Sequence, residues 1–156
     1  MGIELGNVTV IMGYPGKTAT LMKVEEDLIG QGYRTIFIPE NIMTKSQAKI
    51  DGLKQLIDKM DSNRAVLLLD EFDQGMHPVM LKKMVELLIE AVRKGIKVVL
   101  TTDNLGLLTL IACMIPDAKL YILENGKLEE YSIASSAIPT YTEVYLQVCK
   151  GGGKNG

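Results

Sequence analysis

The sequence predicts an α/β fold in which helices cover both faces of a mostly parallel sheet, with a β-hairpin towards the C-terminus. Residues 65–69 are five consecutive apolar residues, and they run directly into Asp70 and Glu71. A short apolar run bounded by polar residues is typical of a strand buried on both faces. Similar runs alternate with segments of helical periodicity, and Asn125-Gly126 is a strong signal for a hairpin turn. These features together predict three layers of structure.

The predicted elements alternate between strand and helix until the hairpin. The strands are predicted at residues 7–12, 33–38, 64–69, 97–102, 119–124 and 127–132, and the helices at residues 17–31, 45–60, 79–94 and 105–114. Helix 79–94 has the clearest helical spacing of apolar residues, and Gly95 is expected to end it. Thr44 or Ser46 is expected to cap helix 45–60. A final helix is predicted over residues 139–150.

The composition indicates one folded domain. The chain has 156 residues, of which 47% are hydrophobic and 23% charged, as is ordinary for a folded protein. We therefore expect a single domain over residues 1–150 and a flexible glycine-rich tail over residues 151–156. The net charge of −2 gives no strong signal for nucleic-acid binding, and no apolar stretch is long enough for membrane insertion.

The N-terminus and the cysteines predict a cytoplasmic location. Residues 1–6 do not combine a basic region with an apolar core, so no signal peptide is expected. Cys113 and Cys149 do not have the spacing of metal ligands, and we interpret them as reduced packing thiols.

Asp70 and Glu71 are the first candidates for a functional site. The carboxyl ends of parallel strands are where such sheets bind their ligands, and both residues fall at that end of the predicted strand 64–69. Two adjacent charges at the tip of a buried strand are costly unless a cation, a water or a phosphate uses them. The alternative is a strand that simply stops at a solvated acidic turn.

A glycine turn followed by Gly16-Lys17-Thr18 connects the first strand to the first helix, which is the structural context of a P-loop. In such a loop, backbone N–H groups and the helix N-terminus contact phosphate oxygens. The lysine adds a positive charge at the β- and γ-phosphates, and the hydroxyl ligates Mg²⁺. Only Tyr14 and Pro15 separate Gly13 from Gly16, whereas the full motif has four residues there. The alternative is therefore a structural glycine turn derived from a P-loop.

Residues 64–78 resemble the Walker B strand and the following D-loop of ABC-type ATPases, which are P-loop NTPases with an additional central strand and a catalytic glutamate. The similarity includes the Asp70-Glu71 pair and the ending His77-Pro78, and it extends in miniature over residues 7–130. The resemblance implies a P-loop NTPase fold with strand order 5-1-4-3-2, the strands being numbered along the chain. His77, the only histidine, is expected to serve the turn or the helix start.

The resemblance also assigns roles to individual residues. Lys17 and Glu71 would be catalytic, with Glu71 polarising water, and Thr18 and Asp70 would ligate Mg²⁺. The nucleotide-binding residues would be Gly13, Tyr14, Pro15, Gly16, Lys17, Thr18, Ala19 and Asp103.

Besides the short loop, three features depart from the ABC pattern. The signature Leu-Ser-Gly-Gly-Gln and the helical subdomain before it are missing, and residues 44–47 stand in the place of the signature. Asp103 occupies the position of a histidine that contacts the γ-phosphate in that family. An ionised aspartate cannot donate a hydrogen bond, so Thr101, Thr102 or Asn104 could replace it as the polar sensor. Asp103 could equally be the N-cap of helix 105–114.

The sequence thus favours Mg²⁺-dependent binding of ATP or GTP with slow hydrolysis. The alternative is an inactive P-loop relic that acts as a protein-interaction module. A third hypothesis is a DNA-packaging or secretion-type ATPase, for which Arg34, Arg64 and Arg93 are the candidate arginine fingers. The expected partners are a nucleotide and either a second copy of the chain or another protein.

Overall fold

A computed structural model describes residues 3–41 and 43–133 of the chain. In this part of the chain the strands are β1 (Val8–Gly13), β2 (Arg34–Ile38), β3 (Ala65–Asp70), β4 (Lys97–Thr101), β5 (Lys119–Glu124) and β6 (Lys127–Ser132), and the helices are α1 (Lys17–Gly30), α2 (Ser46–Lys59), α3 (Pro78–Lys94) and α4 (Leu105–Met114). The helix predicted over residues 139–150 and the tail 151–156 lie outside the described residues.

All six strands form one sheet in the order β2-β3-β4-β1-β5-β6. Neighbouring strands from β2 to β5 are parallel, and β6 is antiparallel to β5. Read from the β5 side, the parallel strands have the predicted order 5-1-4-3-2, with β4 between β1 and β3. The hairpin strand β6 extends the same sheet beyond β5, so the prediction of a mostly parallel α/β sheet with a C-terminal hairpin is confirmed.

Helices pack on both faces of the sheet, as predicted. Every residue of β3 is buried, which agrees with its uninterrupted apolar sequence because both of its faces are covered. The larger apolar cluster joins one face of the sheet to α2, α3 and α4. The smaller cluster joins the other face to α1 through Leu21, Val24 and Leu28.

The helix starts differ in part from the predictions. Pro78 is the first residue of α3, and Nδ1 of His77 accepts a hydrogen bond from the backbone N–H of Val79 at 3.3 Å, which confirms the helix-start role of His77. Asn104 caps α4 by accepting from the N–H of Leu107 at 3.1 Å, so the hypothesis that Asp103 is this cap is wrong. Asn104 is one residue nearer to the helix and reaches the free N–H groups of its first turn.

Two other sequence interpretations need correction. The N-cap position of α2 is Lys45, and no side chain caps it, so neither Thr44 nor Ser46 has the expected role. Cys113 is an exposed free thiol rather than a packing residue, because it lies on the outer face of α4. None of the described helices is long and apolar enough to cross a membrane.

Candidate functional site

The candidate site lies where β1, β3 and β4 end. Because β4 lies between β1 and β3 and all three strands are parallel, the segments that follow them meet at one edge of the sheet. The first of these segments is the loop from Gly13 to Thr18, the second begins with Asp70 and Glu71, and the third contains Thr102 and Asp103. Residues that are far apart in the sequence are thereby brought within hydrogen-bond distance.

Thr18 and Asp70 contact each other directly. The hydroxyl of Thr18 donates to Oδ2 of Asp70 at 2.8 Å, and the hydroxyl of Thr101 donates to Oδ1 at 2.6 Å. Asp70 is only 2% exposed, and within the described residues no cationic side chain forms an ion pair with it. Hydroxyl donors alone compensate a buried carboxylate poorly, so the pair would gain from a cation.

The chemistry of this pair fits Mg²⁺. Mg²⁺ prefers oxygen ligands and needs only one or two carboxylates from the protein when phosphates supply others. The Thr18 hydroxyl and the Asp70 carboxylate are two such oxygens, in contact at the ordinary length of an O–H···O hydrogen bond, 2.8 Å, so one cation could contact both.

Lys17 is buried at the start of α1, and its ammonium group has three partners in the chain. Its Nζ donates to the carbonyl oxygen of Gly13 at 2.8 Å and forms ion pairs with Asp103 at 2.8 Å and Glu71 at 3.3 Å. Burial acts to lower the pKa of Lys17, but the hydrogen bonds and charges of Asp103 and Glu71 outweigh it and raise the pKa overall. Lys17 therefore stays positively charged.

Glu71 is turned towards the same site by an unusual backbone conformation. Adjacent residues of a strand point to opposite sides, but β3 ends at Asp70, and Glu71 has a positive φ of 46°. The backbone N–H of Glu71 donates to the hydroxyl of Thr101 at 2.9 Å, which fixes this turn. The side chain is held by Lys17 on Oε1 and by the amide of Gln74, which donates to Oε2 at 2.7 Å.

The loop residues lie around the start of α1. Gly16 occupies the N-cap position with a left-handed φ of 101°, so the positive end of the helix dipole opens into the loop. Tyr14, Pro15, Thr18 and Ala19 are all exposed at this end. The short loop thus keeps Lys17 and Thr18 in the first turn of the helix, where phosphate oxygens could reach them.

Several residues of the site were not identified from the sequence. Gln74 holds Glu71, and Thr101 joins Asp70 to Glu71, whereas the sequence suggested Thr101 only as a polar sensor. Asp73 is buried, its Oδ2 accepts from the hydroxyl of Thr102 at 2.9 Å, and among the described residues Oδ1 has no partner. The acidic run 70–73 was the available signal for Asp73.

Comparisons with known proteins agree with this architecture. Residues 51–109, which include Asp70, Glu71 and Asp103, match the family model described as "AAA domain, putative AbiEii toxin, Type IV TA system". No curated protein is detectably similar to the chain in sequence.

Two solved structures show the same fold. An ATP-binding cassette of an ABC transporter, in its ADP conformation, is 15% identical with a TM-score of 0.53, and the match covers 91% of this chain and 88% of that one. The cbiO1 protein of Clostridium perfringens, part of the ABC transporter complex cbiONQ, is 13% identical with a TM-score of 0.58, and the match covers 95% and 85%. The chain therefore has the P-loop NTPase fold and resembles a minimal core of the ABC-type ATPases.

Proposed function

We propose that the protein binds Mg²⁺-ATP or Mg²⁺-GTP and hydrolyses the nucleotide slowly. The observation that carries this proposal is the 2.8 Å contact between the Thr18 hydroxyl and the buried Asp70 carboxylate, beside the ammonium group of Lys17. A phosphate-binding helix start, a lysine and a pair of oxygen ligands are the parts that phosphoryl transfer requires.

Each residue has a distinct part in the proposed reaction. The loop from Gly13 to Ala19 and the N-terminus of α1 bind phosphate oxygens, and Lys17 stabilises their charge. Thr18 and Asp70 hold Mg²⁺, which supplies charge neutralisation at the phosphates when it is bound. Glu71 accepts the proton of the attacking water.

The same contacts explain why turnover should be slow. Glu71 is bound to Lys17 and Gln74, and Lys17 is also bound to Asp103. Nucleotide must replace at least one of these contacts before Glu71 can orient water. The sequence also lacks the signature motif with which a second ABC-type subunit would complete the site.

Thermal unfolding with and without nucleotide tests the binding step. A ligand at 100 times its Kd stabilises the native state by about 2.7 kcal/mol, so millimolar Mg²⁺-ATP should raise the Tm of the wild type by several degrees. Lys17→Ala should remove most of this rise. Lys23→Ala is the matched control, since Lys23 is an exposed lysine of the same helix, and it should keep the rise.

The second candidate is an inactive P-loop relic that binds another protein. It is favoured by the shortened loop and by Asp103, whose carboxylate forms an ion pair with the Lys17 ammonium group at 2.8 Å. No increase in Tm at millimolar nucleotide would support this candidate and contradict nucleotide binding. Its partner would be a second copy of the chain or another protein, by analogy with cbiO1, which is part of a larger complex.

The proposed location is the cytoplasm. Cys113 is an exposed free thiol, and exposed thiols persist in reducing compartments. Measurement of the fraction of Cys113 alkylated in intact cells, compared with purified oxidised protein, would test this location.

A further inference from the structure

Asp103 is a carboxylate that the chain places directly on the P-loop lysine. It follows β4, its Oδ2 lies 2.8 Å from Nζ of Lys17, and its side chain is 59% exposed. Because Asn104 rather than Asp103 caps α4, the helix start does not account for this aspartate. Its described polar contact is the one with Lys17.

We propose that Asp103 is a specificity-determining residue that makes this site prefer a nucleoside diphosphate to a nucleoside triphosphate. This inference rests on the proposed nucleotide binding and goes beyond it, since it assigns a substrate preference to one side chain.

The direction of the Lys17 side chain indicates which phosphate of a nucleotide would lie near Asp103. Phosphates nearest the nucleoside bind at the loop and the helix start, and a P-loop lysine reaches the β- and γ-phosphates. The side chain of Lys17 runs from the start of α1 to Glu71 and Asp103. The γ-phosphate of a triphosphate on Lys17 would therefore lie against these two carboxylates, whereas a diphosphate ends at the β-phosphate and brings one phosphate fewer to them.

Of the two carboxylates, Asp103 is the one that nucleotide would displace. Glu71 is only 15% exposed and is also held by Gln74, whereas Asp103 is largely exposed and can turn into solvent. Its negative charge nevertheless stays close to the site after it turns. Competition between Asp103 and the phosphates for Lys17 weakens the binding of every nucleotide. Repulsion by the nearby charge of Asp103 weakens the binding of a triphosphate more, because a triphosphate carries one additional phosphate.

Titration calorimetry with Mg²⁺-ADP and with a non-hydrolysable Mg²⁺-ATP analogue tests this preference. The wild type should bind ADP more tightly than the analogue. Asp103→Asn should tighten binding of the analogue about tenfold and of ADP at most about threefold, because the amide removes the charge but keeps the shape.

Glu124→Gln is the matched control. Glu124 ends β5 beside Leu123, which pairs with Gly13, so its replacement removes the same charge at the same edge of the sheet without removing an ion pair of Lys17. It should leave the ratio of the two affinities unchanged.

The possible outcomes separate this inference from the proposed function. If the wild type binds nucleotide but its preference is the same in Asp103→Asn, or shifts equally in Glu124→Gln, the specificity role is wrong and nucleotide binding stands. If neither the wild type nor Asp103→Asn binds either nucleotide, the proposed function fails and this inference fails with it. Binding by Asp103→Asn alone would show that Asp103 excludes both nucleotides, which also contradicts a preference.

Discussion

Asp70, Glu71, Asp73 and Asp103 place four carboxyl groups at the ends of two adjacent strands, where Lys17 is the cation that binds two of them. The four groups have different surroundings. Asp70 accepts two hydroxyl hydrogen bonds, Glu71 and Asp103 bind Lys17, and Asp73 accepts from the hydroxyl of Thr102. Such a concentration of like charge costs stability in the free protein. Clusters of this kind are typical of sites that bind a ligand.

Asp73 is the residue for which this cost can be measured. Burial raises its pKa above the usual 3.8, and the charges of Glu71 and Asp103 add to the increase, although the hydrogen bond from Thr102 opposes it. A carboxyl group with a higher pKa in the folded than in the unfolded state binds protons more readily when folded. The free energy of unfolding therefore falls as the pH rises from the pKa of Asp73 in the unfolded state to its higher pKa in the folded state. The loss persists at neutral pH.

Asp73→Asn should consequently stabilise the protein at pH 7. An increase in Tm of roughly 2–4 °C is expected, the shift that about 1 kcal/mol produces in a chain of this size. The advantage should disappear as the pH falls below about 3.8, the ordinary value for aspartate, because both proteins are then uncharged at this position. Thermal unfolding of both proteins across this pH range measures the difference in Tm. Asp51→Asn, at an exposed aspartate, is the control. A lower Tm for Asp73→Asn than for the wild type at neutral pH would contradict the conclusion that a charged Asp73 costs stability.

Among the secondary-structure elements, the contact between the end of β1 and β5 determines where the P-loop begins. Gly13 pairs with Leu123 in the parallel ladder and has a φ of 116°. A Cβ atom at Gly13 would overlap the carbonyl oxygen of Leu123. Gly16 has a similar φ of 101°, but the nearest atom to its Cβ position would be Cδ2 of Leu123 at 3.9 Å.

Substitutions at the two glycines therefore distinguish the cost of backbone strain, which applies at both positions, from the cost of a steric clash, which applies at Gly13. Gly16→Ala should cost about 1–3 kcal/mol of unfolding free energy, the usual cost of an alanine in a strained conformation. Gly13→Ala should cost more, since β1 must also move away from β5. Urea denaturation of both variants measures the difference. Equal losses would show that the contact with Leu123 does not constrain the loop.

The helices and strands themselves were predictable from local patterns. The apolar spacing of α3 and the uninterrupted run of β3 each depend on neighbouring residues, and both elements lie within a few residues of their predicted bounds. The caps were less predictable, because Asp103 and Asn104 are both good capping residues. Asp103 instead turns towards the loop and contacts Lys17, which is 86 residues away in sequence, and local patterns carry no information on such a contact.

For the whole molecule, the order of the strands assembles the site, and periodicity alone does not predict that order. Alternating strands and helices predict a parallel sheet, but the insertion of β4 between β1 and β3 was expected only because residues 64–78 resemble an ABC-type ATPase. The same resemblance placed Lys17, Thr18, Asp70 and Glu71 in one site, and the structure brings these side chains into contact, while their roles stay predictions. It gave no information on Gln74 and Asp73, whose contacts depend on the turn at Glu71 and on the packing of Thr102.

Phosphate release from Mg²⁺-ATP by the wild type and by Glu71→Gln tests whether this site hydrolyses nucleotide. We expect slow but measurable release by the wild type, and a rate lower by about 10²-fold or more in Glu71→Gln, because the amide keeps the shape of the side chain but cannot accept a proton from water. Nucleotide affinity should be retained in this variant, since Lys17, Thr18 and Asp70 are unchanged. Equal rates in the two proteins, or no release by the wild type above background even at high protein concentration, would contradict the proposal that this site hydrolyses nucleotide.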